Sequence, residues 1–143
     1  MIKSRKNFID LKMGLFDFYS CKPVVKFTNK SGEKLKICPL TSSMTLMPSE
    51  VYETNGECLY TFDTGVAFEI PDGYFGVIVE DEDLHKRGFN LANNVMILTG
   101  KSDRSLKITL AQIDNDAMII GKDTPIAKIM ILPVMFCDFV EQN

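Results

Sequence analysis

From Lys22 onward the hydropathy of this chain alternates with a period of two, and nothing else constrains its fold as strongly. The runs KLKICPL, CLYTFDT, GVAFEI, YFGVIVE, FNLANN, VMILTG, SLKITLAQ, AMII and IAKIMILPV are short and rich in β-branched or aromatic residues. Turn signals separate them: Asn29-Lys30-Ser31-Gly32, Asn55-Gly56, Pro71-Asp72-Gly73, Gly100-Lys101-Ser102-Asp103 and Gly121-Lys122-Asp123. Many closely spaced strands with no helix between them predict an all-β barrel or jelly-roll-like sandwich. Pro71-Asp72-Gly73 is expected to close a tight hairpin between GVAFEI and YFGVIVE. Proline presets φ at the first corner, and glycine accepts the positive φ of a later one.

The first residues follow another rule. Phe8, Leu11, Leu15, Phe18 and Tyr19 fall at helical spacing, with Arg5, Lys6, Asp10, Lys12 and Asp17 between them. Residues 1–21 therefore read as a short amphipathic helix with a basic start, and residues 22–143 as one β domain. The helix would dock on a partner or an anionic surface, or pack on its own body or a neighbouring subunit.

A chain of 143 residues can bury one substantial core. Its net charge of −3 argues against general nucleic-acid binding, which calls for a basic face. No segment reaches 18 uninterrupted apolar residues, so no membrane span is expected. Asp10 and Lys12 break the early apolar run, which makes a poor signal peptide and points to the cytoplasm. Cys21, Cys38, Cys58 and Cys137 form no CxxC pair, and His85 is the only histidine. That spacing suits no structural zinc site, so no metal site is assigned. The cysteines read as reduced thiols, mostly in the core.

Five stretches together resemble the trimeric deoxyuridine triphosphatase (dUTPase) family. They are TLMPSE (45–50), TGVAFEIPDGYFGVI (64–78), LHKRGFNLANNV (84–95), SLKITLAQID (105–114) and GKDTPIAKIMILPV (121–134). The family runs Leu-x-Pro-Gly-Glu, then Thr-Gly, then Ile-Pro-x-Gly-Tyr-x-Gly, and the order and spacing agree over about residues 33–134. The resemblance implies a jelly-roll-like β fold, a homotrimer and active sites between subunits. In such sites a magnesium ion accompanies the nucleotide, an aspartate orients water, and arginine and serine hold phosphates.

The positions that would carry that chemistry are altered. Where the family has Pro-Arg-Ser-Gly-Leu, this chain has Glu80, Asp81, Glu82, Asp83 and Leu84. Asp81 stands for the arginine and Glu82 for the serine. At about 4 Å and an effective dielectric of about 20, each unit pair is worth about 4 kcal/mol before screening, here with the repulsive sign for a triphosphate. The water-orienting aspartate falls on Thr99, which is no base near neutral pH. The sugar-discriminating tyrosine falls on Ser102 and a later glutamine on Lys128. The Ala-Gly-x-Asp-Leu motif is unrecognisable around residues 35–44. The sequence after the last expected strand, MFCDFVEQN, lacks the family's glycine-rich arm.

No catalytic residue and no cofactor are therefore assigned. The expected function is that of a non-catalytic, homotrimeric protein that acts by binding, in a structural or partner-binding role. The abundance of Lys, Asn and Ile suits a phage or other viral source, with the host cytoplasm or the virion as its place. Glu80, Asp81, Glu82 and Asp83 would form an acidic edge for a basic partner, or simply a solvated loop end. An alternative is the capture of a small nucleotide-like ligand in the inter-subunit clefts by Lys101, Arg104, Lys107 and Lys128. An active hydrolase is the least supported reading. Metal binding by the acidic run is disfavoured, because adjacent residues on a strand point to opposite sides.

Overall fold

The computed structural model describes residues 22–56 and 58–143. The amphipathic segment read at residues 1–21 lies outside the described residues, as does Cys21. What is described is all-β. The strands are β1 (Lys26–Asn29), β2 (Lys36–Cys38), β3 (Ser43–Leu46), β4 (Glu50–Asn55), β5 (Leu59–Asp63), β6 (Val66–Glu69) and β7 (Tyr74–Glu80). After a single 3-10 turn at His85–Arg87 come β8 (Phe89–Leu91), β9 (Met96–Leu98), β10 (Lys107–Gln112) and β11 (Ala127–Pro133). No helix of the described residues is long and apolar enough to cross a membrane.

The strands form a five-stranded sheet ordered β2-β3-β11-β7-β9, a four-stranded sheet ordered β4-β5-β10-β8, and the pair β1-β6. Every ladder is antiparallel, the arrangement of a jelly roll. The two-residue period explains the core. On β10, Ile108 and Leu110 are buried while Lys107 and Thr109 are half-buried, and on β11 the buried residues are Ala127 and Ile129. Leu46, Ile78, Leu84, Leu91 and Ile126 join them with almost no exposed surface. Each such aliphatic side chain contributes roughly 1.5–3 kcal/mol by leaving water.

The Thr64-Gly65 pair ties the sheets together. Thr64 donates from its amide to the Leu106 carbonyl at 2.9 Å and from its hydroxyl to the same oxygen at 2.8 Å. That hydroxyl also accepts the Val66 amide at 3.3 Å. Gly65 has φ +71°, and a Cβ there would lie 2.9 Å from the Ser31 amide nitrogen. The chain turns here from β5 in one sheet to β6 in another, and both residue types are required by the backbone itself.

Three expectations need correction. Pro71-Asp72-Gly73 does make a turn, with the Tyr74 amide donating to the Pro71 carbonyl at 3.2 Å and Gly73 at φ +82°. Yet β6 and β7 do not pair, so the turn is a corner between sheets and not a hairpin. β6 pairs with β1, and its other side meets residues 100–102 through the Ile70–Gly100 and Ser102–Phe68 backbone bonds. β7 pairs with β11 and β9. Turn chemistry sets the local path only; the longer β7 finds its partners through burial against β11. AMII (117–120) is not a strand, because the Met118 amide is taken by the Arg87 carbonyl and Ile119 is left exposed. The described cysteines are free thiols but not core residues: Cys38 is half-buried, and Cys58 and Cys137 are exposed.

Candidate functional site

The acidic run begins at the end of β7, where Glu80 pairs with Ala127 of β11. The strand then turns sharply. Asp81 donates its amide to the Ile126 carbonyl at 3.1 Å, and its carboxylate accepts the Asp83 amide at 3.1 Å. This Asx turn leads through buried Leu84 into the His85–Arg87 turn. Asp83 reaches Lys86 at 3.2 Å, with both side chains well exposed. Glu82 accepts a hydrogen bond from Lys128 at 2.6 Å. Three of the four carboxylates are thus engaged within the chain, and the run is not one uninterrupted negative surface.

Lys128 sits in the middle of the five-stranded sheet, between Val79 of β7 and Thr45 of β3. The hydrogen bond to Glu82 holds its ammonium above the ordinary lysine value of 10.5, with the charges of Glu82 and Asp81 adding to the effect and burial opposing it. Close by on β2, Cys38 has its thiol pulled below the ordinary 9.0, first by a hydrogen bond with the Thr41 side chain and then by the Thr41 and Leu40 amides. Nothing in the sequence signals the Glu82–Lys128 pair, because it is created by the register of β7 against β11.

The other candidate cations lie elsewhere in the chain. Arg104 and Lys107 line a cavity of about 300 Å³ with Phe68, Leu98, Thr99 and Ser105. Lys101 forms an isolated backbone bridge with Glu69 and borders a neighbouring cavity of about 390 Å³, together with Lys26 and Lys30. Phe68 and Ser102 belong to both walls. Within one chain, then, Arg104 and Lys107 come together, Lys101 stands beside them, and Lys128 lines neither cavity. The Ser102 hydroxyl accepts the Arg104 amide at 3.3 Å and donates to the Arg104 carbonyl at 3.1 Å, so it shapes the loop that presents the arginine.

The first cavity has aromatic and aliphatic walls, hydroxyls and two cations, which suits a small anionic ligand with a flat apolar part. No carboxylate, imidazole or thiol is part of its lining. The donor set does not fit a protein-held magnesium ion either. The acidic run is engaged as described, and no group of three or more His, Cys, Asp or Glu side chains converges among the described residues.

No family model matches the chain. It is 30% identical over 71 residues to the deoxyuridine 5'-triphosphate nucleotidohydrolase of Escherichia phage T5, covering 50% of this chain and 48% of that protein. It is 29% identical over 86 residues to the enzyme of the same name from Tropheryma whipplei strain Twist, covering 59% of each. The chain therefore spans about half the length of the curated relatives it matches. Among solved structures, the dUTPase of Staphylococcus bacteriophage 80alpha with dUPNHPP superposes with a TM-score of 0.66 at 14% identity, covering 85% of this chain and 89% of that one. A mutant of the same phage enzyme gives 0.65 at 14% identity, covering 85% and 97%. At that identity the likeness is one of fold.

Proposed function

We propose that the chain is a member of the dUTPase family, and that it is a phage-encoded, non-catalytic homotrimer that acts by binding rather than by hydrolysis. The observation that carries this reading is the cavity beside Thr99. It offers Arg104 and Lys107 as cations and has no side chain able to take a proton from water at neutral pH. The Glu82–Lys128 pair supports the same reading. The family's serine and glutamine positions here hold a carboxylate and an ammonium that satisfy each other, and a triphosphate would have to displace one from the other.

What is bound follows from the same walls. A nucleotide-like anion could lay its base against Phe68 and its phosphate on Arg104 and Lys107. The acidic loop, with Glu82 and Asp83 well exposed, is the surface offered to a basic protein partner. The test is incubation of the purified protein with dUTP and Mg²⁺, with pyrophosphate release as readout, alongside light scattering for assembly. No turnover and a three-chain mass are expected. Turnover at an ordinary enzymatic rate would defeat the non-catalytic reading, and a monomeric mass would defeat the trimer.

A further inference from the structure

Asp63 and Ser105 stand 42 residues apart in the chain and meet at the wall of the cavity that holds Arg104 and Lys107. The Ser105 hydroxyl donates to the Asp63 carboxylate at 2.6 Å, and the Gly65 amide donates to the same oxygen at 2.8 Å. Ser105 belongs to the cavity wall and Asp63 does not, so the carboxylate stands behind the hydroxyl. Its place is well determined. Gly65 is set by φ +71°, and Asp63 lies opposite Lys107 in the register of β5 against β10.

A brace between these strands does not require this bond. The Thr64 amide and hydroxyl already hold the Leu106 carbonyl at 2.9 and 2.8 Å, and the Leu106 amide holds the Val66 carbonyl at 2.7 Å. What the bond adds is polarity. A hydroxyl has one proton and two acceptor lone pairs. The Ser105 proton is committed to a carboxylate, in a charge-assisted bond of the short, strong kind. Toward the cavity this oxygen has only lone pairs to offer, and the carboxylate behind it strengthens them as acceptors.

The other two hydroxyls of the wall carry no such instruction. Ser102 is used twice by the Arg104 backbone, and the Thr99 hydroxyl can turn either to give or to accept. Ser105 is therefore the wall's fixed acceptor, and in the sequence it falls between the two cations, Arg104 and Lys107. A bare phosphate oxygen suits the cations but meets Ser105 as one acceptor meets another. A group that gives a proton suits Ser105. A ligand that satisfies both carries a hydroxyl donor next to its anion, as the sugar of a nucleoside phosphate does.

We propose that Ser105, polarised by Asp63, is the specificity-determining residue of this cavity, where it accepts a hydrogen bond from a sugar hydroxyl of a nucleoside phosphate whose phosphate lies on Arg104 and Lys107. Asp63 is a positioning residue that acts through Ser105. The inference rests on the nucleotide-like occupant proposed above and adds the chemical group that selects it.

The test is calorimetric titration of the full chain with uridine 5'-monophosphate and with its 2'-deoxy, 3'-deoxy and 2',3'-dideoxy forms. Loss of both hydroxyls should weaken binding by about tenfold or more, because the Ser105 acceptor is then left without a donor in the complex. The singly deoxygenated ligands show which hydroxyl is accepted. In Ser105→Ala the four ligands should bind alike. In Asp63→Ala, which frees the Ser105 proton, the preference should narrow as well. A merely structural brace would not move the ratio between ligands, and the wild-type series needs no variant. Equal binding of the four ligands by the wild type, or a preference that persists undiminished in either variant, overturns the proposal and leaves the nucleotide reading standing. If none of the four binds, both fail.

Discussion

Lys128 donates to Glu82 across 2.6 Å, joining positions 46 residues apart in the chain. The Lys128 side chain is 24% exposed and that of Glu82 is 83% exposed, so the pair bridges the sheet and the solvent. Its meaning is more chemical than energetic: the loop's own carboxylate satisfies the ammonium of a lysine in the middle of the sheet.

The first prediction is its pH dependence. The folded Lys128 value is raised, so the contribution is fully present below the ordinary lysine value of 10.5 and is lost as pH climbs through the higher folded value. Glu82→Ala should lower unfolding free energy by no more than about 1 kcal/mol at pH 8, given the exposure of the pair. Urea titrations of the variant and the wild type should converge above the folded Lys128 value. A gap of the same size at both ends of the range would refute the assignment.

The second concerns charge reversal. The double variant Asp81→Arg, Glu82→Ser restores a cation and a hydroxyl and releases Lys128. It should bind a non-hydrolysable deoxyuridine triphosphate analogue at least tenfold more tightly than the wild type by calorimetry, a gain of about 1.4 kcal/mol. It should still release no pyrophosphate from dUTP, because Thr99 supplies no base.

Gly65 supports a third prediction. Alanine there would hold φ +71° and press its Cβ to 2.9 Å from the Ser31 backbone nitrogen. Both strain and clash oppose it, and a loss of about 2–3 kcal/mol is expected in chemical denaturation. An unchanged midpoint would mean that the β5–β6 corner is looser than described.

Thr64→Val isolates the hydroxyl from the volume. The buried Leu106 carbonyl would keep one of its two donors, the Thr64 amide, and the Val66 amide would lose an acceptor. A cost of about 1–3 kcal/mol is expected, measured the same way.

Cys38 offers the fifth. Its thiol is held below 9.0 chiefly by Thr41, so the thiolate persists to lower pH than in an unperturbed cysteine. With Cys21, Cys58 and Cys137 replaced by serine, the pH of half-maximal alkylation should rise in Thr41→Val. No movement would remove Thr41 as the cause.

Much of the fold was legible because strands announce themselves locally. Eight of the nine alternating runs became strands, and only AMII did not. β1, β3 and β4 were missed as runs, since KFTN has all four residues exposed, SMTL is short and mixed, and EVYETN mixes charged and polar residues among its apolar ones. The resemblance of TGVAFEIPDGYFGVI to a known scaffold also held, and Thr64 and Gly65 show why: they serve backbone connections that the fold needs whatever its chemistry. The candidate site was less legible. Lys101, Arg104 and Lys107 are near in sequence and stay near in space. Lys128 is distant in sequence, and its partner is set by a strand register.

The sequence alone determined the period of two, the positions of the turns, and the apolar character of the C-terminal segment. All of these are properties of neighbouring residues, and local sterics and hydrophobic alternation are enough to express them. Tertiary structure decided which strands pair. It made Pro71-Asp72-Gly73 a corner instead of a hairpin, joined Glu82 to Lys128, and brought Arg104 and Lys107 to one cavity. Those outcomes depend on burying one face of β7 together with one face of β11, with Ile78 opposite Ile129, a constraint on contacts between distant residues that no local pattern contains.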